Sequence, residues 1–229
     1  MPSPRLVIFD CDGTLVDSQH MIVEAMGRAF DVHDLPRLPR ETVLSIVGLS
    51  LPIAVHRLLP DAPRDRVTGV SEAYKQAFGE LRRDPAHHEP LYPGALEAIA
   101  ALVDRPDVLL GIATGKSRRG VDGIFERFGL APHFVTIQTA DDNPSKPHPE
   151  MIRRAMAETG TAAPRTIMVG DTTFDMEMAR AAGVGALGVS WGYHPRADLD
   201  DSGAHTIIDG YEALTGALDR LFARLEDEA

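Results

Sequence analysis

Six side chains on four separate segments give this sequence its chemical character. The first segment is Phe9-Asp10-Cys11-Asp12-Gly13-Thr14. Two carboxylates two residues apart on one loop can share a metal and divide two tasks. A carboxylate can attack phosphorus as a nucleophile, and a second can protonate the leaving alkoxide and then deprotonate the attacking water. An acidic surface turn has the same composition. The second segment, Ile112-Ala113-Thr114-Gly115-Lys116-Ser117, sets a hydroxyl and loop N–H groups before a helix, where phosphate oxygens bind well. It does not match the Gly-x-x-x-x-Gly-Lys-Ser/Thr loop of nucleotide binders, and a capped helix start would look alike. In the third, Ser145-Lys146-Pro147-His148-Pro149, prolines restrict the backbone on both sides of His148 and favour a helix start near Pro149. Lys146 held there could neutralise a nucleophile and a transferring phosphoryl group. The fourth, Val169-Gly170-Asp171-Thr172-Thr173-Phe174-Asp175, places two carboxylates four apart at a loop-to-helix junction. Such hard oxygen ligands suit Mg²⁺, and equally suit an N-cap and first-turn pair.

Each segment follows a short apolar run. Leu6–Phe9 is the first; Val108–Ile112, Phe134–Ile137, Thr166–Val169, Val184–Val189 and Thr206–Ile208 are the others. Amphipathic stretches near 94–104, 117–128, 149–159, 174–182 and 211–226 separate or follow them. Strands alternating with helices predict a doubly wound parallel α/β sheet of the Rossmann-like kind. In such a sheet, ligands bind outside the carboxyl ends of the strands, where four distant segments can meet. Residues 17–90 break the rhythm. Met21, Ala25, Met26, Ala29 and Phe30 in 18–31, and Val67, Val70, Tyr74, Phe78 and Leu81 in 64–83, follow helical spacing. Prolines 36, 39, 52, 60 and 63 divide the rest. The reading is an inserted domain of three to five helices (17–90), joined back through a linker over Pro85–Pro93, on a core made of 1–16 and 91–229.

The 229 residues carry a formal net charge of −11, with 44% hydrophobic and 25% charged residues. That balance is ordinary for a globular protein and argues against nucleic acid as a partner. An acidic protein that binds an anion must build local positive charge from a metal, a few cations and backbone N–H groups. Cys11 is the one cysteine, so no intrachain disulfide can form, which fits a reducing cytoplasm. With neither a signal-peptide core nor an apolar run of about 18 residues, the expectation is a soluble cytoplasmic protein, free of membrane, acting as a monomer or homodimer.

The order Asp-x-Asp, Thr, Lys-Pro, Gly-Asp-x-x-x-Asp, one element per strand end, resembles the haloacid dehalogenase superfamily along essentially the whole chain. The helical insertion after Asp12-Gly13-Thr14-Leu15-Val16-Asp17-Ser18 is similar to the cap of its phosphoglycolate phosphatase-like branch. The resemblance implies Asp10 as nucleophile and Asp12 as general acid–base that also offers its backbone carbonyl to Mg²⁺. Thr114 and Lys146 would hold the phosphoryl group, Asp171 would ligate Mg²⁺ directly, and Asp175 would stand behind it. Gly115 occupies a position where many relatives carry Asn, which bears on one phosphate contact. Gly48 and Ser50, in Val47-Gly48-Leu49-Ser50, match a loop of relatives that reaches the substrate. The implied activity is hydrolysis of a small phosphorylated metabolite, phosphoglycolate first. A phosphomutase acting on a sugar phosphate is the alternative, disfavoured by the apolar insert. A dehalogenase would have no use for Asp12, Asp171 and Asp175. A phospho-accepting receiver module would be about half as long and would lack the insert.

Smaller features have plainer readings. Cys11 is a small buried side chain, His87-His88 a solvated linker, and Arg118 and Arg119 either a positive rim or an exposed helix face. Trp191, Tyr193 and His194 form a loop near the sheet's carboxyl edge, walling the site or packing between domains.

Overall fold

The computed structural model of the chain describes residues 4–84 and 87–228. Its centre is strand β1 (Arg5–Phe9), whose side chains are apolar in both directions: Val7 and Phe9 join one buried cluster, Leu6 and Ile8 another. A strand buried on both faces belongs inside a parallel sheet covered by helices. Five more strands complete it: β2 (Val108–Thr114), β3 (Phe134–Thr139), β4 (Thr166–Gly170), β5 (Gly185–Val189) and β6 (Thr206–Ile208). Their order is β3-β2-β1-β4-β5-β6, all parallel. The chain therefore winds outward from β1 in one direction through β3, then returns to the other side of β1 at β4. Open sheets of this kind bind ligands at such a reversal, which here falls at the carboxyl ends of β1 and β4.

Helices cover both faces: α5 (Ala95–Val103), α6 (Arg118–Phe128), α7 (Glu150–Thr159), α8 (Thr173–Ala182), α9 (Arg196–Asp201) and α10 (Leu214–Asp227). The strands and long helices fall where the apolar runs predict, within a residue or two at each end. The last helix begins later than expected, because 211–213 form a 3₁₀ turn. The six-residue α9 has no counterpart in the sequence reading; it buries only Leu199, too little for a periodic signal.

Between β1 and α5 lie four helices: α1 (Gln19–Val32), α2 (Arg40–Leu44), α3 (Leu51–Leu58) and α4 (Arg64–Arg83). Pro39 and Pro63 stand at the N-caps of α2 and α4, and Pro52 in the first turn of α3, where a missing N–H costs nothing. The helices have their own core, including Met26, Phe30, Val43, Val55 and Val70. The chain enters and leaves this insert side by side. Val16 and Leu91 form an antiparallel bridge, and the Asp17 N–H donates to the Pro90 carbonyl at 2.8 Å. Pro85 of the expected linker lies outside the described residues. Among the described residues no helix is long and apolar enough to cross a membrane.

Candidate active site

The loops after β1, β2, β3 and β4 converge on one buried acidic centre. Asp10 directly prolongs β1, its N–H donating to the Val169 carbonyl of β4 at 2.9 Å. Asp171 follows β4 and Asp175 lies in the first turn of α8. Carboxylate oxygens of Asp10, Asp171 and Asp175 lie within 4.8 Å of one another, and all three residues are buried. Gly13 makes the assembly possible. Its φ is +86°, and a Cβ there would overlap the Asp171 carboxylate, so only glycine satisfies both backbone and space.

Lys146 supplies the balancing charge. It is 1% exposed, with its ammonium 2.9 Å from Asp10 Oδ1 and 2.6 Å from Asp175 Oδ1. Burial opposes its charge, but the carboxylates of Asp10 and Asp175 hold its pKa above the ordinary lysine value. The peptide before Pro147 is cis. One cation cannot balance three buried carboxylates. Burial pushes Asp10 up to about 6 against the pull of Lys146, with the charge of Asp175 adding to the rise. Burial, then the charges of Asp10 and Asp175, push Asp171 well above the carboxylate range.

The carboxylates differ in how well they are satisfied. Asp171 accepts the Thr14 hydroxyl at 2.8 Å and the Tyr193 N–H at 2.9 Å. Asp175 accepts the N–H and hydroxyl of Thr172 on Oδ2, closing a capping box on α8. The first-turn reading of Asp175 and its place in the acidic centre thus hold together. Asp10 is held more sparsely: its oxygens are buried, and its partners are the Lys146 ammonium at 2.9 Å and the Thr114 hydroxyl.

Asp12 sits apart from this triad. Its Oδ1 accepts the Ser18 hydroxyl at 2.6 Å and the Lys116 ammonium at 2.7 Å. Lys116 also pairs with Glu89 at 2.9 Å, and Glu89 holds Arg82 at 3.0 Å. The sequence reading assigned no role to Ser18, Lys116 or Glu89. Lys116 and Ser18 stand inside motifs it quoted, but nothing in spacing pairs Asp12 with a lysine 104 residues away. Thr114, 1% exposed at the end of β2, accepts the Lys116 N–H at 3.2 Å. Ser117 then N-caps α6 through Gly120.

The insert lies over the centre through the turn between α2 and α3. A Cβ on Gly115 would stand 2.5 Å from the Gly48 carbonyl oxygen and 2.7 Å from that of Leu49. The Ser50 N–H donates to Ser145 Oγ at 2.8 Å, beside Lys146. Phe174, at the start of α8, packs among Ile46, Leu49 and Ala54, beneath the Arg57 guanidinium at 5.1 Å. His194 joins the same contact, its ring edge-on to Phe174 at 5.4 Å and its Nε2 3.3 Å from the Ser45 carbonyl.

The remaining candidates are placed as follows. Tyr193 walls the site, its hydroxyl 3.1 Å from Ser18 Oγ. Trp191 packs on Tyr92 and Tyr211, and its indole N–H donates to the Thr14 carbonyl. His148 is exposed and accepts the Glu150 N–H at 3.2 Å. Arg118 pairs with Asp122 on an exposed helix face. Burial raises the Cys11 thiol pKa well above its usual value, which leaves it inert.

Comparison with known proteins agrees with this geometry. Residues 7–189 match the family model described as haloacid dehalogenase-like hydrolase. A Dickeya dadantii protein named "Probable phosphatase IndB" is 37% identical over 217 residues, spanning 93% of this chain and 92% of its own. A phosphoglycolate phosphatase from Rhodospirillum rubrum is 32% identical over 219 residues, spanning 92% and 89%. A solved hydrolase structure from Pseudomonas syringae superimposes with a TM-score of 0.82 at 26% identity, covering 94% of this chain and 98% of that one. With the model match covering most of its length, and full-length relatives above 30% identity, the chain belongs to the haloacid dehalogenase-like hydrolase family.

Proposed function

We propose that this chain is a Mg²⁺-dependent phosphatase that hydrolyses small phosphate monoesters through an aspartyl-phosphate on Asp10. We read residues 17–90 as a cap over a core of 1–16 and 91–229. The observation that carries the reading is the Asp10 carboxylate: buried at the end of β1 and set beside Lys146 in an acidic triad. That donor set fits a divalent cation, since three buried carboxylates share one ammonium. Asp10, the Asp12 backbone carbonyl and Asp171 would hold it, with Asp175 behind. When bound, Mg²⁺ supplies positive charge against the phosphoryl oxygens.

In the first step an Asp10 oxygen attacks phosphorus and the bond to the ester oxygen breaks. The released electron pair takes a proton from Asp12, so the product leaves as an alcohol. In the second step water attacks the same phosphorus and gives its proton to Asp12, and the Asp10 carboxylate departs with free phosphate as product. Lys146 and Thr114 would bind the phosphoryl oxygens, with the loop N–H at Gly115 beside them. Gly48 and Ser50, in the turn above, would face the leaving group. Uncatalysed phosphomonoester hydrolysis is so slow that roughly 20 kcal/mol of barrier must be removed. Preorganised charge around Asp10 is the contribution best suited to supply most of it.

Phosphoglycolate is the first substrate to try, supported by the names of several relatives. Phosphate release from a panel of small phosphomonoesters, with and without chelator, tests the proposal. Loss of release in Asp10→Asn is expected. Turnover surviving Asp10→Asn would overturn the mechanism, and conversion of a sugar 1-phosphate to its 6-phosphate without free phosphate would replace hydrolysis by a mutase reaction.

A further inference from the structure

Asp12 binds both of its donors through one oxygen. The Ser18 hydroxyl and the Lys116 ammonium, 2.6 and 2.7 Å away, both meet Oδ1, while Oδ2 has no hydrogen bond among the described residues. A carboxyl group that exchanges protons needs one oxygen free to carry the proton, and free rotation about its terminal bond would scramble the two. From this geometry we infer that Lys116 is a positioning residue for the acid–base step. It pins Oδ1, so that Oδ2 alone exchanges protons with the leaving oxygen and with water. The inference rests on the role proposed for Asp12.

The seat of Lys116 is itself built. Its side chain is 7% exposed, and its second partner, Glu89, is 3% exposed as a residue. Glu89 Oε1 takes the lysine at 2.9 Å, while Oε2 takes Arg82 Nε and Nη2 at 3.2 and 3.0 Å. The Phe78 ring lies 5.1 Å from the lysine ammonium and 5.2 Å from the Arg82 guanidinium. Phe78 and Arg82 are four residues apart, on one face of α4. Lys116 belongs to the loop after β2, Glu89 to the segment that returns to the core, and Phe78 and Arg82 to the insert. A surface lysine needs none of these partners. Glu89 holds the lysine independently of Asp12, so the cation stays in place while Asp12 gains and loses its proton.

A positioning role predicts losses that depend on the leaving group. An alkoxide needs the Asp12 proton to depart, whereas p-nitrophenolate leaves without one. The comparison uses kcat/KM, which reports the steps through transfer to Asp10. Lys116→Met should lower kcat/KM for phosphoglycolate by about 100-fold, the low end of what proton transfer contributes. For p-nitrophenyl phosphate its loss should stay below about 10-fold. Asp12→Asn should show the same asymmetry, larger, and Lys116→Arg should recover part of the alkyl activity. Equal losses on both substrates for Lys116→Met, with Asp12→Asn asymmetric, would overturn the inference while leaving the phosphatase reading intact. Symmetric losses in Asp12→Asn would instead remove the acid–base role on which it rests. If Lys116→Met fails to fold, Glu89→Gln supplies the same comparison, because it loosens the lysine without removing it. A symmetric Glu89→Gln profile would then count against the inference.

Discussion

Replacing Gly115 by alanine places a single methyl group between the two layers of the protein. The Gly115 backbone is not in the left-handed region, so alanine meets no local strain and the substitution acts only through what lies above it. What lies above is the Gly48 carbonyl oxygen at 2.5 Å, with the Gly48 carbonyl carbon at 2.8 Å. An ordinary close approach between carbon and oxygen is about 3.3 Å or more, so the turn over Gly115 must rise by most of an ångström. Both atoms are backbone, and the turn is tied down by the Ser50–Ser145 hydrogen bond and by Phe174 among Ile46, Leu49 and Ala54. Overpacking of this kind costs about 1–3 kcal/mol, equivalent to about 5–150-fold in a two-state equilibrium. The cost falls on the seated insert alone. With the insert lifted, alanine is harmless, and it stabilises the chain slightly by restricting the unfolded state. Gly115→Ala should therefore lower the melting temperature, by no more than the seating of the insert contributes. It should speed hydrogen exchange at the amides of Val47–Ser50 and lower kcat/KM for small esters by a factor in that range. Unchanged exchange and kinetics, in a protein that folds normally, would refute the claim that the insert seats directly on Gly115.

Four further outcomes follow from the same contacts. Lys146→Met leaves Asp10 and Asp175 buried without their cation and should cost about 3–5 kcal/mol in urea unfolding. Phe174→Ala should cost about 3 kcal/mol and increase proteolysis within the insert, since this ring ties α8 to Ile46 and Leu49. The proton on Asp10 gives a definite sign: its folded pKa is raised from 3.8 to about 6. Its stabilising contribution is thus complete below the unfolded value and is lost as pH rises through about 6. Mg²⁺ competes with that proton, so the rise in melting temperature on adding Mg²⁺ should be larger at pH 7.5 than at pH 5.5; an equal rise at both would count against metal binding at Asp10. Thr172→Ala removes one side of the α8 capping box and should cost about 1 kcal/mol by thermal melting.

The sheet was legible because its central strand is apolar on both faces and the others are short apolar runs, a signal that survives without tertiary knowledge. Val7 and Phe9 face one layer, Leu6 and Ile8 the other. The acidic residues and Lys146 were legible because each ends or follows such a strand, so that recognising the strands also locates the loops. What stayed hidden depends on long-range contact. The pairing of Asp12 with Lys116 spans 104 positions, and that of Lys116 with Glu89 spans 27. Neither leaves a periodic trace. Phe174 was quoted within a motif without its docking role, because the residues that receive it belong to the insert. Gly115 read as a departure from relatives. The approach of the Gly48 carbonyl gives it a steric reason.

The Val16–Leu91 bridge has a consequence for how such a protein can change over evolutionary time. The two crossing segments are neighbours, joined again where the Asp17 N–H meets the Pro90 carbonyl, so the chain leaves and re-enters the core at one place whatever lies beyond it. Chain ends that meet in this way tolerate exchange of the segment between them. Length and composition beyond the crossing can drift while β1 and its acidic loop stay in register with β2 and β4. The insert can therefore be rebuilt without rebuilding the sheet, so long as the few residues that reach back across the joint are kept.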